Sequence, residues 1–207
     1  MNNKIVILAG ESSVGKDLIL NKLVEKYGWH KAVSYTTRPM RKGEIEGEDY
    51  HFLTSNKQFN HLMESGHMFE KTEYETNFGL WLYGLGQDSF TDDEVNICIV
   101  NPHGLNQLLE IESIKDRIKV FYITADFDER FFRYINRDSD NDKHKIELVD
   151  RFIRDEKDFH KFNHNYDCYT IWNSNGHDVN DLVEEIFEVV DCGFRLLDFN
   201  IRGVINE

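Results

Sequence analysis

Four short apolar runs, each followed by a stretch with helical spacing, set the frame of the chain. Lys4 to Ala9 is almost continuous in Ile, Val and Leu and ends at a glycine, the pattern of a strand buried on both faces. Lys16 to Tyr27 then carries Leu20, Leu23, Val24 and Tyr27 at helical intervals. The second run, Val95 to Val100, precedes a helical pattern over 104–114, and the third, Ile118 to Ile123, precedes one over 128–136. The last, Cys168 to Trp172, leads into a helix from about Asp178 with Val179, Leu182, Val183, Ile186 and Val190 on one face. Strands alternating with helices predict an α/β fold with a parallel core sheet. Two stretches break the alternation. About sixty residues separate the short run Ala32 to Tyr35 from Val95, far more than one crossover needs, so they form a subdomain. Within it, 50–53 and 68–74 read as strands, 56–64 as a helix and 77–86 as a glycine-rich turn region with aromatics. Residues 137–145, polar throughout and set between Arg-rich helical patterns, read as a mobile lid.

Composition narrows the class. At 207 residues the chain is one domain or a domain with an insertion, and 40% hydrophobic with 13% aromatic residues excludes disorder as its main state. The formal charge of −14 argues against coating nucleic acid or an anionic membrane, so an anionic substrate has to be met by a local basic site. Cys98, Cys168 and Cys192 are widely spaced with no CxxC, which suggests neither a disulfide framework nor zinc and fits a reducing cytoplasm. The apolar run at residues 5–10 is too short to span a bilayer and lacks the flanks of a signal peptide.

Residues 10–17, GESSVGKD, match G-x-x-x-x-G-K between a buried strand and an amphipathic helix. In that context the backbone N–H groups from Gly10 through Ser12, Ser13, Val14 and Gly15 converge with a helix N-terminus on phosphate oxygens, and Lys16 reaches the β and γ phosphates. Asp17 stands where Ser or Thr is usual. It is either a direct or water-mediated Mg²⁺ ligand or a first-turn acid favoured by the helix dipole.

A second concentration of charge lies at 31–42, where Lys31, Arg38, Arg41 and Lys42 occur without an acid. The segment SYTTRPMRKGE at 34–44, followed by GEDYHF at 47–52, resembles the guanylate kinase family, and the resemblance continues through GHMFE at 66–70, Tyr83-Gly84 and YDCYTIWN at 166–173. It spans roughly residues 4–190. The resemblance implies a P-loop three-layer fold with an inserted mixed α+β subdomain that binds the acceptor nucleoside monophosphate, and a short lid. In those terms the core is 1–33, 87–136 and 146–207, the acceptor-binding subdomain 34–86 and the lid about 137–145.

The family pattern also implies roles. Arg38, Arg41, Tyr50 and Tyr83 would hold the acceptor phosphate, Glu70 would accept bonds from guanine N1–H and the 2-amino group, and Ser34 would contact the base. Bidentate arginines suit a phosphate dianion better than lysines do. Arg137, Arg151 and Arg133 are the lid arginines that would stabilise the transferring phosphoryl group. Arg130 and Arg154 read instead as partners of Asp128, Asp150 or Asp155 on helix faces. Asn173 falls where the family lines the adenine pocket. Three departures bear on base specificity. Asn101 replaces the family Asp before Gly104, retaining an acceptor for a guanine amino group but no charge. Leu85 replaces a hydroxyl residue after Tyr83-Gly84. Glu70 and Tyr83 lie about four residues further apart than usual, which leaves Phe78-Gly79 as a competing alignment.

The implied activity is transfer of the γ-phosphoryl of MgATP to GMP or dGMP, in a cytoplasmic enzyme acting on purine nucleotides, with Mg²⁺ as cofactor and no nucleic-acid or membrane partner. The alternatives are a kinase for another nucleoside monophosphate, or a non-catalytic phosphopeptide-binding module of the same fold. Retention of Gly10, Gly15, Lys16 and the lid arginines speaks against the module. His160 and His164, spaced i, i+4 without a third ligand, read as a solvated helix face, and His103 near the site is not needed as a base. The tail 191–207 carries Phe194, Leu196, Leu197, Phe199 and Ile201, enough to cover the core or a second subunit in a homodimer.

Overall fold

The structure, a computed structural model, describes residues 4–41, 43–76, 78–92, 94–137, 152–174 and 176–192. Its centre is a five-stranded parallel sheet in the order β2-β7-β1-β8-β9, formed by His30–Lys31, Asn96–Ile99, Ile5–Ala9, Ile118–Thr124 and Tyr169–Trp172. All five residues of β1 are buried, because successive side chains enter opposite layers. Val6 and Leu8 pack with Ile19, Leu20 and Leu23 of α1 (Lys16–Tyr27) and with Leu182 and Ile186 of α7 (Val179–Cys192). Ile5 and Ile7 pack with Leu105 and Leu108 of α3 (Pro102–Leu109) and with Phe162 of α6 (Phe162–Asn165). The result is the three-layer arrangement expected from the sequence. Each such fully buried side chain is worth roughly 1.5–3 kcal/mol, so these two layers hold the loops at the carboxyl ends of the strands in place.

The long insertion forms a second, mixed sheet in the order β4-β3-β6-β5, from His51–Phe52, Tyr35–Thr36, Gly79–Gly84 and Thr72–Thr76. Its helix α2 (Asn56–Glu64) starts at Ser55, whose side chain accepts from the Gln58 N–H, and buries Phe59 against Met68 and Leu82. Two expectations are corrected here. Residues 77–86 are not mainly turn: Leu80 to Tyr83 alternate between faces and pair along β5, with Leu82 in the subdomain core and Trp81 and Tyr83 on the opposite face. The strand expected at 68–74 begins only at Thr72, because the chain turns inward at Phe69, whose N–H bonds to Leu85 O, leaving Met68 with an isolated bridge to Gly86.

The helix after β7 runs from Pro102 to Leu109 rather than 104–114. Proline at its first turn needs no N–H partner, and Asn101 caps it through the Gly104 N–H. Helix α4 occupies Phe127–Arg137, and residues 152–158 are helical (α5). Residues 138–145, most of the expected lid, and the tail beyond 192 lie outside the described residues.

Candidate active site

The loop after β1 closes on itself through its own backbone. Gly15 adopts φ 94°, a conformation a side chain resists, and a Cβ there would lie 2.6 Å from Asn173 Nδ2. A Cβ on Gly10 would lie 2.1 Å from Ile123 O, so the loop can pass β8 only as glycine. Helix α1 begins with no side-chain cap, which leaves its first N–H groups for an anion. Lys16 Nζ donates to Gly10 O and Glu11 O at 2.8 Å each, folded over the loop, and burial lowers its pKa despite Asp17, Asp155 and Glu11 nearby. Asp155 Oδ2, from α5, accepts from the Ser12 N–H at 2.8 Å. The phosphate loop therefore already holds a carboxylate beside Lys16.

Two further groups brace this loop. Asn173, buried, donates from Nδ2 to Val14 O at 2.8 Å, and its own carbonyl accepts from Arg133 Nη2 at 2.7 Å, a bond that fixes Arg133 together with Glu129 at 2.6 Å. Asn173 thus bears on the loop backbone itself. Arg130 is the correction: it does not pair along a helix face but is buried, its Nη1 4.0 Å from Glu11 Oε1, its guanidinium against the rings of Phe127 and Phe152. Burial follows because its turn of α4 packs onto the loop that carries Glu11, whose Oε1 also accepts from Tyr122 OH at 2.8 Å. Arg154 also reaches the acceptor-side sheet, its guanidinium lying 5.4 Å over the ring of Tyr74. Arg137 ends α4, and Arg151 lies outside the described residues.

Lys16 and Asp17 line one cleft of about 580 Å³ with the residues expected on the acceptor side, Ser34, Arg38, Arg41, Tyr50, Glu70, Tyr83 and Asn101. Arg38 is 4% exposed and makes a bidentate pair with Glu44, at 2.7 and 3.0 Å, beneath the Tyr50 and Phe52 rings. Burial works against the charge on Glu44, but Arg38 and the Arg41 N–H, 2.6 Å away, hold its carboxyl below the usual range. Tyr50 and Tyr83 meet edge to face with centroids 5.9 Å apart, and burial with its neighbours pushes the Tyr50 phenol to about 12, so it remains a donor at neutral pH. Tyr83 faces the cleft from β6, whereas Phe78 is 62% exposed at the hairpin end, so the longer Glu70 to Tyr83 spacing is taken up by a longer hairpin.

Glu70 sits beside α3. Burial pushes its carboxyl up to about 7, against a Leu85 N–H and the Thr72 hydroxyl that favour ionisation. Leu85 itself turns into the core, fully buried. Asn101 Oδ1 accepts from Gly104 N at 2.8 Å, while Nδ2 donates to Tyr74 OH at 2.8 Å; the one Thr72 hydroxyl hydrogen serves either Asn101 Oδ1 at 3.2 Å or Glu70 Oε2 at 3.4 Å. Sequence reasoning passed over Glu44, Tyr74 and Asp155. Glu44 was in the matched segment, three residues from Arg41, and Tyr74 shares strand parity with Thr72. Nothing local marks Asp155, which lies 143 positions from its partner.

A glycine loop on the first strand of a parallel sheet, facing a basic and aromatic cleft on an inserted mixed sheet, defines a P-loop α/β protein with a separate acceptor-side sheet. The guanylate kinase family model matches residues 2–191, and the chain belongs to that family. It is 32% identical over 193 residues to a guanylate kinase of Wolbachia sp. subsp. Brugia malayi, covering 90% of this chain and 91% of that protein. It is 28% identical over 216 residues to one from Lactiplantibacillus plantarum, covering 98% and 92%. The crystal structure of guanylate kinase from Anaplasma phagocytophilum superposes with a TM-score of 0.67 at 22% identity, over 92% of this chain and 85% of that one, a likeness of fold.

Proposed function

We propose that the chain transfers the γ-phosphoryl group of ATP to GMP or dGMP, giving ADP and the nucleoside diphosphate. The observation that carries the reading is the single cleft with the Lys16 loop on one wall and Arg38, Tyr50, Tyr83 and Glu70 on the other. The domain division follows: residues 34–86 hold the acceptor, the lid is about 137–145 and the rest is core. The backbone of 10–16 cradles the donor phosphates, and Lys16, freed from Gly10 and Glu11 carbonyls when phosphate arrives, follows the charge as it moves. Arg38 and Arg41, with the two phenols, orient the acceptor phosphate, which is largely a dianion at neutral pH because its second pKa is about 6. No side chain has to remove a proton. Arg133, held at the Asn173 carbonyl, and Arg137 and Arg151 are proposed to neutralise the transferring group.

Mg²⁺ fits the residues present. Asp17 and Asp155 offer hard carboxylate oxygens on the loop side of the cleft, while among the described residues no group of three or more His, Cys, Asp or Glu forms a ready-made metal cage. That is the pattern of a magnesium brought in with the nucleotide, where it supplies charge neutralisation of the β and γ phosphates. Among the described residues no helix is long and apolar enough to cross a membrane, and the acidic total charge supports small nucleotides rather than nucleic acid as partners, in the cytoplasm. The test is coupled ADP release with MgATP against GMP, dGMP, AMP, CMP, UMP and dTMP. Turnover confined to a pyrimidine acceptor, or none with any acceptor, refutes the reading.

A further inference from the structure

The phosphate loop has polar groups served from within the chain, and one of the partners is an anion. Ser12 N–H donates to Asp155 Oδ2 at 2.8 Å, a charge-assisted bond in a loop whose N–H groups suit phosphate oxygens. Lys16 Nζ is turned onto Gly10 O and Glu11 O, and Val14 O accepts from Asn173 Nδ2. Asp155 is brought to this place by a firm anchor. The Phe159 N–H returns to Asp155 O at 2.9 Å, and the buried Phe159 ring packs on Tyr122 of β8 and Phe162 of α6, with centroids 6.0 and 5.4 Å apart. The carboxylate therefore belongs to the core through its own helical turn. Asp17 and Asp158 line the same cleft, and the charges of Asp17, Asp155 and Glu11 all bear on Lys16. A polyphosphate that enters has to take the Ser12 N–H from a carboxylate and to stand among like charges.

From this, and resting on the reading of the loop as the donor site of a nucleoside monophosphate kinase, we propose that Asp155 determines donor specificity: it competes with the donor phosphate for the Ser12 N–H and restricts the loop to nucleotides whose charge is offset by a bound divalent cation. The repulsion between a fixed carboxylate and an incoming group grows with that group's net charge. A metal-free nucleoside diphosphate or triphosphate carries about two more negative charges than its magnesium complex, so Asp155 penalises the metal-free form most. The selection is made by removing a competitor from the loop, not by an added contact to the nucleotide. It is specific to position 155, because Asp158 lies in the same cleft one helical turn on and has no bond to the Ser12 N–H.

The test is calorimetric Kd for ADP on the full chain, once with a chelator and once with excess Mg²⁺. The parent should bind the magnesium complex at least about tenfold more tightly than metal-free ADP. Asp155→Asn keeps the shape and removes the charge. It should tighten metal-free ADP by about three- to tenfold and leave the magnesium complex within about threefold, so that the selectivity narrows. Asp158→Asn takes the same charge from the same cleft and should move either Kd by less than about twofold. Hydrogen exchange at the Ser12 amide, read without nucleotide, should quicken at least about tenfold in Asp155→Ala, which has no acceptor to offer. Metal-free ADP that binds Asp155→Asn no better than the parent overturns the proposal. So does a magnesium complex weakened more than threefold, which would make Asp155 a group that serves the metal-bound donor. An equal gain from Asp158→Asn would assign the effect to the field of the whole cleft, and unchanged Ser12 exchange would remove the contact; either refutes the assignment. A parent that binds ADP in neither form refutes the kinase reading and the proposal with it. Binding without turnover against any acceptor refutes phosphoryl transfer alone and leaves the two Kd values to decide the role of Asp155.

Discussion

Replacing Glu70 with glutamine removes a buried charge and keeps the shape. Burial pushes the Glu70 carboxyl up to about 7 in the folded protein, from 4.5 for an unperturbed glutamate. A group whose folded pKa is raised contributes stability that is fully present below 4.5 and is lost as pH rises through about 7. The difference of about 2.5 units amounts to about 3 kcal/mol, lost between pH 4 and pH 8. Glu70→Gln does not titrate, so its stability should exceed that of the parent by about 3 kcal/mol at pH 8 relative to the difference at pH 4, seen as about 6–12 °C in Tm for a chain of this size. GMP reverses the balance, because guanine donors favour the carboxylate. Binding at pH 7 should therefore release a fraction of a proton from the parent enzyme, visible as a buffer-dependent calorimetric enthalpy, and none from the variant, whose kcat/KM for GMP should fall by about a hundredfold. Thermal unfolding of both proteins from pH 4.5 to 8.5, with and without GMP, reads each part. Parallel pH profiles for the two would show that Glu70 is ionised in the free protein and refute the argument from burial.

Three other substitutions probe the two walls separately. Lys16→Ala should lower kcat by about a thousandfold or more, with Tm close to the parent's; near-normal turnover would sink the assigned mechanism. Asp155→Ala removes the carboxylate bonded to the Ser12 N–H, and should tighten ADP measured without Mg²⁺ by about three- to tenfold, whereas weaker binding would show that the group serves the nucleotide. Arg38→Lys breaks a bidentate pair that no lysine can reproduce, and should raise KM for GMP about tenfold or more in steady-state assays while leaving KM for ATP within about twofold.

The parallel core was legible because four of its five strands fall in mostly apolar runs, each followed by a stretch with helical spacing, whereas β2, His30–Lys31, has no such run. Ile5 to Ala9 and the faces of α1 and α7 leave little choice of architecture. The loop at 10–16 was legible for a related reason, since its glycines answer a local backbone need. The second sheet was harder. Gly79 and Gly84 look like turn residues, and only the pairing of Leu80 to Tyr83 with β5 makes them the ends of a strand. Side-chain commitments were the least accessible. The cap that Asn101 gives to the Gly104 N–H was not read from the sequence, and Arg130 read as a surface partner until α4 was packed onto Glu11. These depend on contacts between residues far apart in the chain, which no periodicity records.

Arg154 and Asp155 follow one another on α5, yet one lies over Tyr74 on the acceptor sheet and the other holds the Ser12 N–H on the phosphate loop. The two proposed nucleotide sites belong to different sheets but have one helical turn in common. They are therefore not interchangeable modules. Grafting the acceptor subdomain of a relative onto this core, or the reverse, would separate the ring from its guanidinium while leaving the adjacent carboxylate in the loop. Exchanges between family members should carry residues 152–158 together with whichever wall is moved.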